Sequence, residues 1–104
     1  MAQGENPVLE TLTDINAVSL ARTELDARSL MLVRLAALAA VDAPVMSYLL
    51  HLGPAADAGL TVEDVEDVLV AVAPITGTPR AMKAVARLAE AFDLAIHLGT
   101  EDTK

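Results

Sequence analysis

The sequence predicts an all-α fold, a small bundle of about five to six helices that assembles as an oligomer. Three observations lead there. Apolar residues recur at helical spacing along the chain. Gly, Pro and helix-capping residues punctuate it between those segments. The 104 residues are 54% hydrophobic, with a mean hydropathy of +0.46, which is more apolar surface than one small domain readily buries. Residues 1–104 read as a single domain.

Residues 1–6 are polar and expected to fray. Pro7 opens a first helix at about Val8, with Leu9, Leu12, Ile15, Val18 and Leu20 spaced for an apolar face and an end between Ala21 and Glu24. Asp26 is the expected N-cap of a central helix ending near Val41. From Leu30 to Ala40 that helix is apolar on every side except at Arg34, so it reads as buried. A guanidinium there needs a partner: Glu24, Asp42, Asp57, an acid of a neighbouring subunit or a bound anion.

Asp42 is read as the cap of the third helix, with Pro44 in its first turn. Gly53-Pro54 is expected to kink or break it, because Pro54 cannot donate to the Leu50 carbonyl and its ring crowds that oxygen. A short turn, Ala55 to Ala58, then stops at Gly59. Thr61 to Asp64 forms a capping-box-like start to the fourth helix. Val62, Val65, Val68, Leu69 and Val72 make its buried face, and Glu63, Asp64, Glu66 and Asp67 its wet one. Pro74 should end it, with a turn from Ile75 to Gly77. Thr78 as cap and Pro79 at the first helical position open a last helix to about Leu98, and the tail GTEDTK is expected to fray.

That last helix places Arg80, Lys83 and Arg87 early and Glu90 and Asp93 late, an order opposed to its macrodipole. Pairing of the bases with the acidic fourth helix would offset the opposition. The other reading is an anion site built from Arg80 and the free N–H groups after Thr78.

Composition excludes several functions. A formal charge of −8 and a pI near 4.4 oppose binding to nucleic acid and to anionic membrane surfaces, which recruit clustered Lys and Arg. Tyr48 and Phe92 are the whole aromatic complement, too few for base stacking. The longest apolar run falls short of the roughly 20 residues a membrane span needs. The first ten residues show no signal-peptide pattern, giving a cytoplasmic expectation. Zero cysteines remove disulfides, thiolate metal sites and thiol redox chemistry. Two histidines far apart, His51 and His97, do not make a metal site, and no cofactor is expected.

Chemistry concentrates on the third helix. His51 is the candidate general acid or base, since imidazole is the side-chain type that exchanges protons near neutral pH. Ser47 lies four residues before it on the same face and is the second catalytic candidate, though no residue in sequence orients the histidine for a serine nucleophile. Tyr48, Arg34 and Arg80 are candidates for binding a substrate, the arginines through a carboxylate. Each has a structural reading beside the functional one: an interface histidine, and arginines held by ion pairs.

The pattern of Leu25-Asp26, an apolar helix, a short turn, His51, then Ala55, Ala56, Gly59, Leu60 and Thr61, followed by VEDVEDVLVAVAPITGTPRAMKA, resembles the carboxymuconolactone decarboxylase family, which includes alkylhydroperoxidase D-like proteins. The resemblance covers about Leu25 to Phe92. It implies an all-α, alkylhydroperoxidase D-like fold that assembles as homotrimers or homohexamers. The family's peroxidase branch uses a glutamate, a CxxC pair and a histidine four residues beyond the second cysteine. Counting back from His51 puts Pro44 and Ser47 at the cysteine positions and Leu32 at the glutamate. Aligning from Leu25-Asp26 gives Ala43, Met46 and Met31, with Leu50 at the histidine. Either register lacks the thiols and the acid, so thiol peroxidase activity is excluded. The decarboxylase branch does without CxxC, and His51 matches a histidine there. Two functions stay open: a decarboxylase-like enzyme acting on a small organic acid or lactone with His51 and an arginine, or a non-catalytic oligomeric or ligand-binding relative that retains only the fold.

Overall fold

Side chains of ordinary capping chemistry start three of the helices. In the computed structural model, which describes residues 6–102 and their side chains as far as Leu98, the Asn6 side-chain oxygen Oδ1 accepts from the N–H groups of Val8 and Leu9 and opens α1 (Pro7–Arg22). Asp26 accepts from Ser29 N–H at 2.7 Å and opens α2 (Ala27–Ala40). Thr61 and Asp64 form a full reciprocal capping box for α4 (Val62–Thr76). α3 (Val45–Asp57) and α5 (Thr78–Asp102) complete the order. Five helices and no strand among the described residues make the fold all-α.

The turns correct several boundaries. Asp42 does not cap α3, whose N-cap is Pro44 without a side-chain bond. It sits instead just past the end of α2 in the left-handed region, φ 58°, where Asp42 N–H donates to Ala39 O and Ala43 N–H to Leu38 O. The same paired pattern closes α3 at Gly59, φ 89°, with Gly59 N–H on Ala56 O and Leu60 N–H on Ala55 O. Gly77, φ 90°, turns α4 into α5 through one residue, a conformation that disfavours any side chain. Its carbonyl accepts the first α5 bond, from Ala81 N–H, so Gly77 is the cap of α5, one residue before the expected cap at Thr78, which is instead the first helical residue.

Neither internal proline ends its helix. α3 runs through Pro54 to Asp57, and α4 through Pro74 to Thr76. Each proline lies in the last turn, where a single carbonyl loses its donor. Those carbonyls belong to Leu50 and Val70, both exposed residues, so water can replace the bond. α5 continues to Asp102, so residues 99–102 of the expected tail are helical. Asn6, expected to fray, is instead fixed as the N-cap of α1, and the fraying expected of residues 1–5 and of the last two lies outside the described residues.

α2, α4, α5 and α3 form a four-helix body in that cyclic order; α2 and α5 also meet across it, while no Cα of α3 comes within 8 Å of one of α4. Met31, Leu35 and Ala39 of α2 face Ala84, Leu88 and Ala91 of α5 in the core, with Tyr48 and Ala55 from α3 and Val65, Val68 and Leu69 from α4. The alanines at these positions let the backbones approach. α2 is therefore central as expected but buries only one face: Val33 on its other side is 54% exposed. Val62, expected in the buried face of α4, is exposed as well. α1 stands apart. It has no buried residue, and none of its Cα atoms comes within 8 Å of another helix.

Candidate functional site

The stand-off of α1 leaves a cleft of about 440 Å³ between it and the faces of α2 and α3. Its walls are mostly apolar, with Leu9, Leu12 and Leu20 on α1 and Met31, Leu50 and Pro54 opposite. Arg34 and His51 are the two ionisable side chains that line it. A volume of this size suits a small organic molecule held by apolar walls and a few placed polar groups.

The Arg34 guanidinium spans the cleft. Its Nη1 donates to Asn16 Oδ1 and its Nη2 to Ser19 Oγ, at 2.5 and 2.8 Å. Asn16 and Ser19 are three apart on α1 and so lie on neighbouring positions of one face. The acid expected to pair with Arg34 is not found among the described residues: no ion pair involves it, and Asp42 is bound to Arg87 and Lys83 instead. The charge is thus satisfied by neutral oxygens alone.

His51 is half-buried, with Nδ1 2.7 Å from the Ser47 carbonyl oxygen four residues earlier in α3. A carbonyl can only accept, so Nδ1 carries the proton and, in the neutral ring, Nε2 carries the lone pair. Ser47 therefore meets the imidazole through its backbone, and its hydroxyl does not line the cleft. Tyr48 is in the core rather than the cleft, near Arg87 and Asp42, and burial pushes its phenol above the ordinary value. Arg80 is remote from the cleft and donates to the Ala40 carbonyl. Of the five residues singled out from the sequence, the cleft brings together His51 and Arg34.

The bases of α5 have another task. Arg87 donates to the carbonyls of Asp42 and Ala43 and to the Asp42 carboxylate, Lys83 Nζ stands 3.8 Å from the same carboxylate, and Arg80 holds the Ala40 carbonyl. Together they cover the negative end of α2, which accounts for the anti-dipole order within α5: the charges complement a neighbouring helix rather than their own. The acidic fourth helix is paired from α2 instead. Arg28 grips Asp64 with two N–H groups at 2.9 and 3.1 Å. That grip, with the Thr61 N–H bond, lowers the Asp64 carboxyl to about 2 and raises Arg28 above its ordinary value.

Sequence reasoning missed Asn16 and Ser19. The available signal was a pair of small polar residues interrupting the apolar positions of α1 at a spacing of three. Among the described residues, no three His, Cys, Asp or Glu side chains gather as a metal site needs, and no helix is long and apolar enough to cross a membrane.

Compared with known proteins, the chain matches the family model described as Carboxymuconolactone decarboxylase family over residues 6–91. No curated protein and no solved structure gives a match. The matched stretch includes all of α1, so both walls of the cleft fall inside it. Covering most of the 104 residues, the match shows that the chain belongs to the carboxymuconolactone decarboxylase family, as a member without cysteine.

Proposed function

We propose that the cleft between α1 and the α2–α3 face binds a small organic acid or lactone acid, with Arg34 taking its carboxylate and His51 handling a proton through Nε2. The observation that carries this reading is the sharing of one apolar cleft by a guanidinium that has no acidic partner among the described residues and an imidazole whose Nδ1 is fixed on a carbonyl. A carboxylate in such surroundings gains a charge-assisted, two-pronged bond to arginine. The fixed tautomer leaves one ring nitrogen for proton transfer to or from the bound molecule. Ser47 serves by holding the imidazole, while Tyr48 and Arg80 support α3 and α2 from outside the cleft. The working unit is a homotrimer or homohexamer, a reading supported by the apolar faces of α1, α4 and α5 that one chain leaves uncovered.

One feature favours the second reading, a ligand-binding relative without turnover: Nδ1 of His51 donates to a carbonyl of its own helix, so no carboxylate stands behind the ring to strengthen it as a base. Calorimetric titration with γ-carboxy-γ-butyrolactone, a five-membered lactone bearing one carboxylate, tests the common premise. The protein should bind it, and Arg34→Met should weaken binding by about 10–100-fold, the range for a charged hydrogen-bond partner. His51→Gln should leave binding within a few-fold while removing any turnover of the lactone acid. Equal binding by wild type and Arg34→Met rejects the site.

A further inference from the structure

We infer that Asn16 is a specificity-determining residue of the cleft: its carboxamide donates to an oxygen on the carbon beside the ligand's carboxylate, so the site selects α-oxy acids over plain ones. The inference rests on the carboxylate-binding reading of Arg34, and it keeps α1 closed on the ligand. A guanidinium has five N–H donors, and α1 takes one from Nη1 and one from Nη2. Three remain, and a carboxylate takes two. The ligand and α1 therefore share Arg34, and the wall made by Leu9, Leu12 and Leu20 stays in place.

The Asn16 carboxamide has one orientation open to it. Arginine donates and never accepts, so the contact of 2.5 Å with Nη1 fixes the amide oxygen on Arg34 and turns the NH2 group away from it. Among the described residues the Asn16 side chain bonds to Arg34 alone, which leaves both of its N–H donors without a protein acceptor. Asn16 lines the cleft, whereas Ser19, the other α1 partner of Arg34, does not. The spare donors thus stand at the cleft wall, one amide group away from the guanidinium that takes the carboxylate. An acceptor within their reach adjoins the carboxylate: a hydroxyl, keto or ring oxygen on the next carbon. A lactone acid whose carboxylate sits beside the ring oxygen meets that requirement. A different side of α1, with Val8, Ile15 and Val18, stays exposed and free to pack against another copy of the chain.

Calorimetric titration of the full chain with two acids of one shape tests this. The first is α-tetrahydrofuroate, a cyclic ether whose carboxylate sits on the carbon beside the ring oxygen. The second is cyclopentanecarboxylate, which lacks that oxygen, and the ratio of the two affinities is the readout. Asn16→Ala should shift the ratio about three- to tenfold toward the carbocycle, the worth of one hydrogen bond. Ser19→Ala removes the other tie to α1 without touching the ligand, and should leave the ratio as in wild type. Amide hydrogen exchange should show α1 no less protected with the ether acid bound than without it. If Asn16→Ala keeps the wild-type ratio, or Ser19→Ala shifts it equally, Asn16 acts only by docking α1; the inference is then overturned and the carboxylate reading stands. Loss of α1 protection on binding also overturns it, since the ligand would then displace Asn16 rather than bond to it. If wild type binds neither acid, the carboxylate reading fails and the inference fails with it.

Discussion

Asp42 shows how one residue can look like a helix start and act at a helix end. Its left-handed backbone is disfavoured by roughly 1–2 kcal/mol for residues other than glycine, though Asp and Asn are the side chains that tolerate it. The carboxylate offsets that strain, since it accepts from Arg87 and faces Lys83, joining α5 to the end of α2. In sequence, Asp42 two residues before Pro44 fits an N-cap and a helix terminus equally, and only the position of α5 decides between them. Asp64 is the residue whose protonation should be measurable. Its folded value of about 2 lies below the ordinary 3.8, so the folded state favours the ionised form. The stabilisation is complete above the ordinary value and is lost as pH falls through about 2. Asp26, lowered by its bond from Ser29 N–H, adds to the same trend. Melting temperatures recorded from pH 5 to about 2 should fall for the wild type and fall less for Asp64→Asn, which has already lost the pair. Parallel curves for the two proteins would remove Asp64 from the acid response.

Among the elements, those written in local chemistry were legible before any coordinates. Pro7, Asp26, Thr61 with Asp64, and Gly59 act within one turn of themselves, and the start or stop each helps make follows from that local bonding, whereas Asn6, expected to fray, proved to be the cap of α1. The prolines misled because the rule that proline breaks a helix belongs to helix interiors, whereas Pro54 and Pro74 fall in last turns beside exposed carbonyls. Half of the candidate cleft lining was legible for a related reason: a lone arginine in an apolar helix and a lone histidine are conspicuous in one dimension. Their meeting with Asn16 and Ser19 depends on where α1 lies in space, and an ordinary-looking polar pair on an amphipathic helix does not announce that. Pro74 permits a direct check on the helix argument, being outside the cleft. Pro74→Ala restores an N–H for the Val70 carbonyl in place of water and relieves the ring contact, and should stabilise the protein by no more than about 1 kcal/mol, the net worth of one hydrogen bond. Each kcal/mol should raise the melting temperature by about 4–8 °C. A lower melting temperature would mean that the stiffness proline gives the unfolded chain outweighs the lost helix bond.

At the scale of the whole molecule, the hydrophobicity read from composition has a location. α1 exposes Val8, Ile15 and Val18, α4 exposes Val70 and Ile75, and α5 exposes Met82, Val85 and Ile96. Two apolar grooves lie among these helices, about 420 Å³ between α2 and α4 and about 360 Å³ between α4 and α5. Single exposed apolar residues need no explanation, but contiguous ones along several helices mark surfaces that bury against something. Copies of this chain are the partner that the composition argues for, and the charge then fixes how such an assembly should respond to salt. Each chain carries a formal −8, so copies repel one another, and burial of apolar surface has to overcome that repulsion. Salt shortens the reach of the repulsion, from about 30 Å at 0.01 M to about 10 Å at 0.1 M, and leaves apolar burial intact. Assembly should therefore strengthen as salt rises, the opposite of an interface held by ion pairs. Sedimentation velocity at about 0.01 M and about 0.5 M salt should show the trimer or hexamer persisting to lower protein concentration in the saltier buffer. Val85→Glu, which puts a charge into the α4–α5 groove, should shift the protein toward smaller species at both. A chain that stays monomeric at micromolar concentration in high salt would leave the exposed apolar faces without a second copy to cover them, and an assembly that salt dissolves would place ion pairs rather than these grooves at the interface.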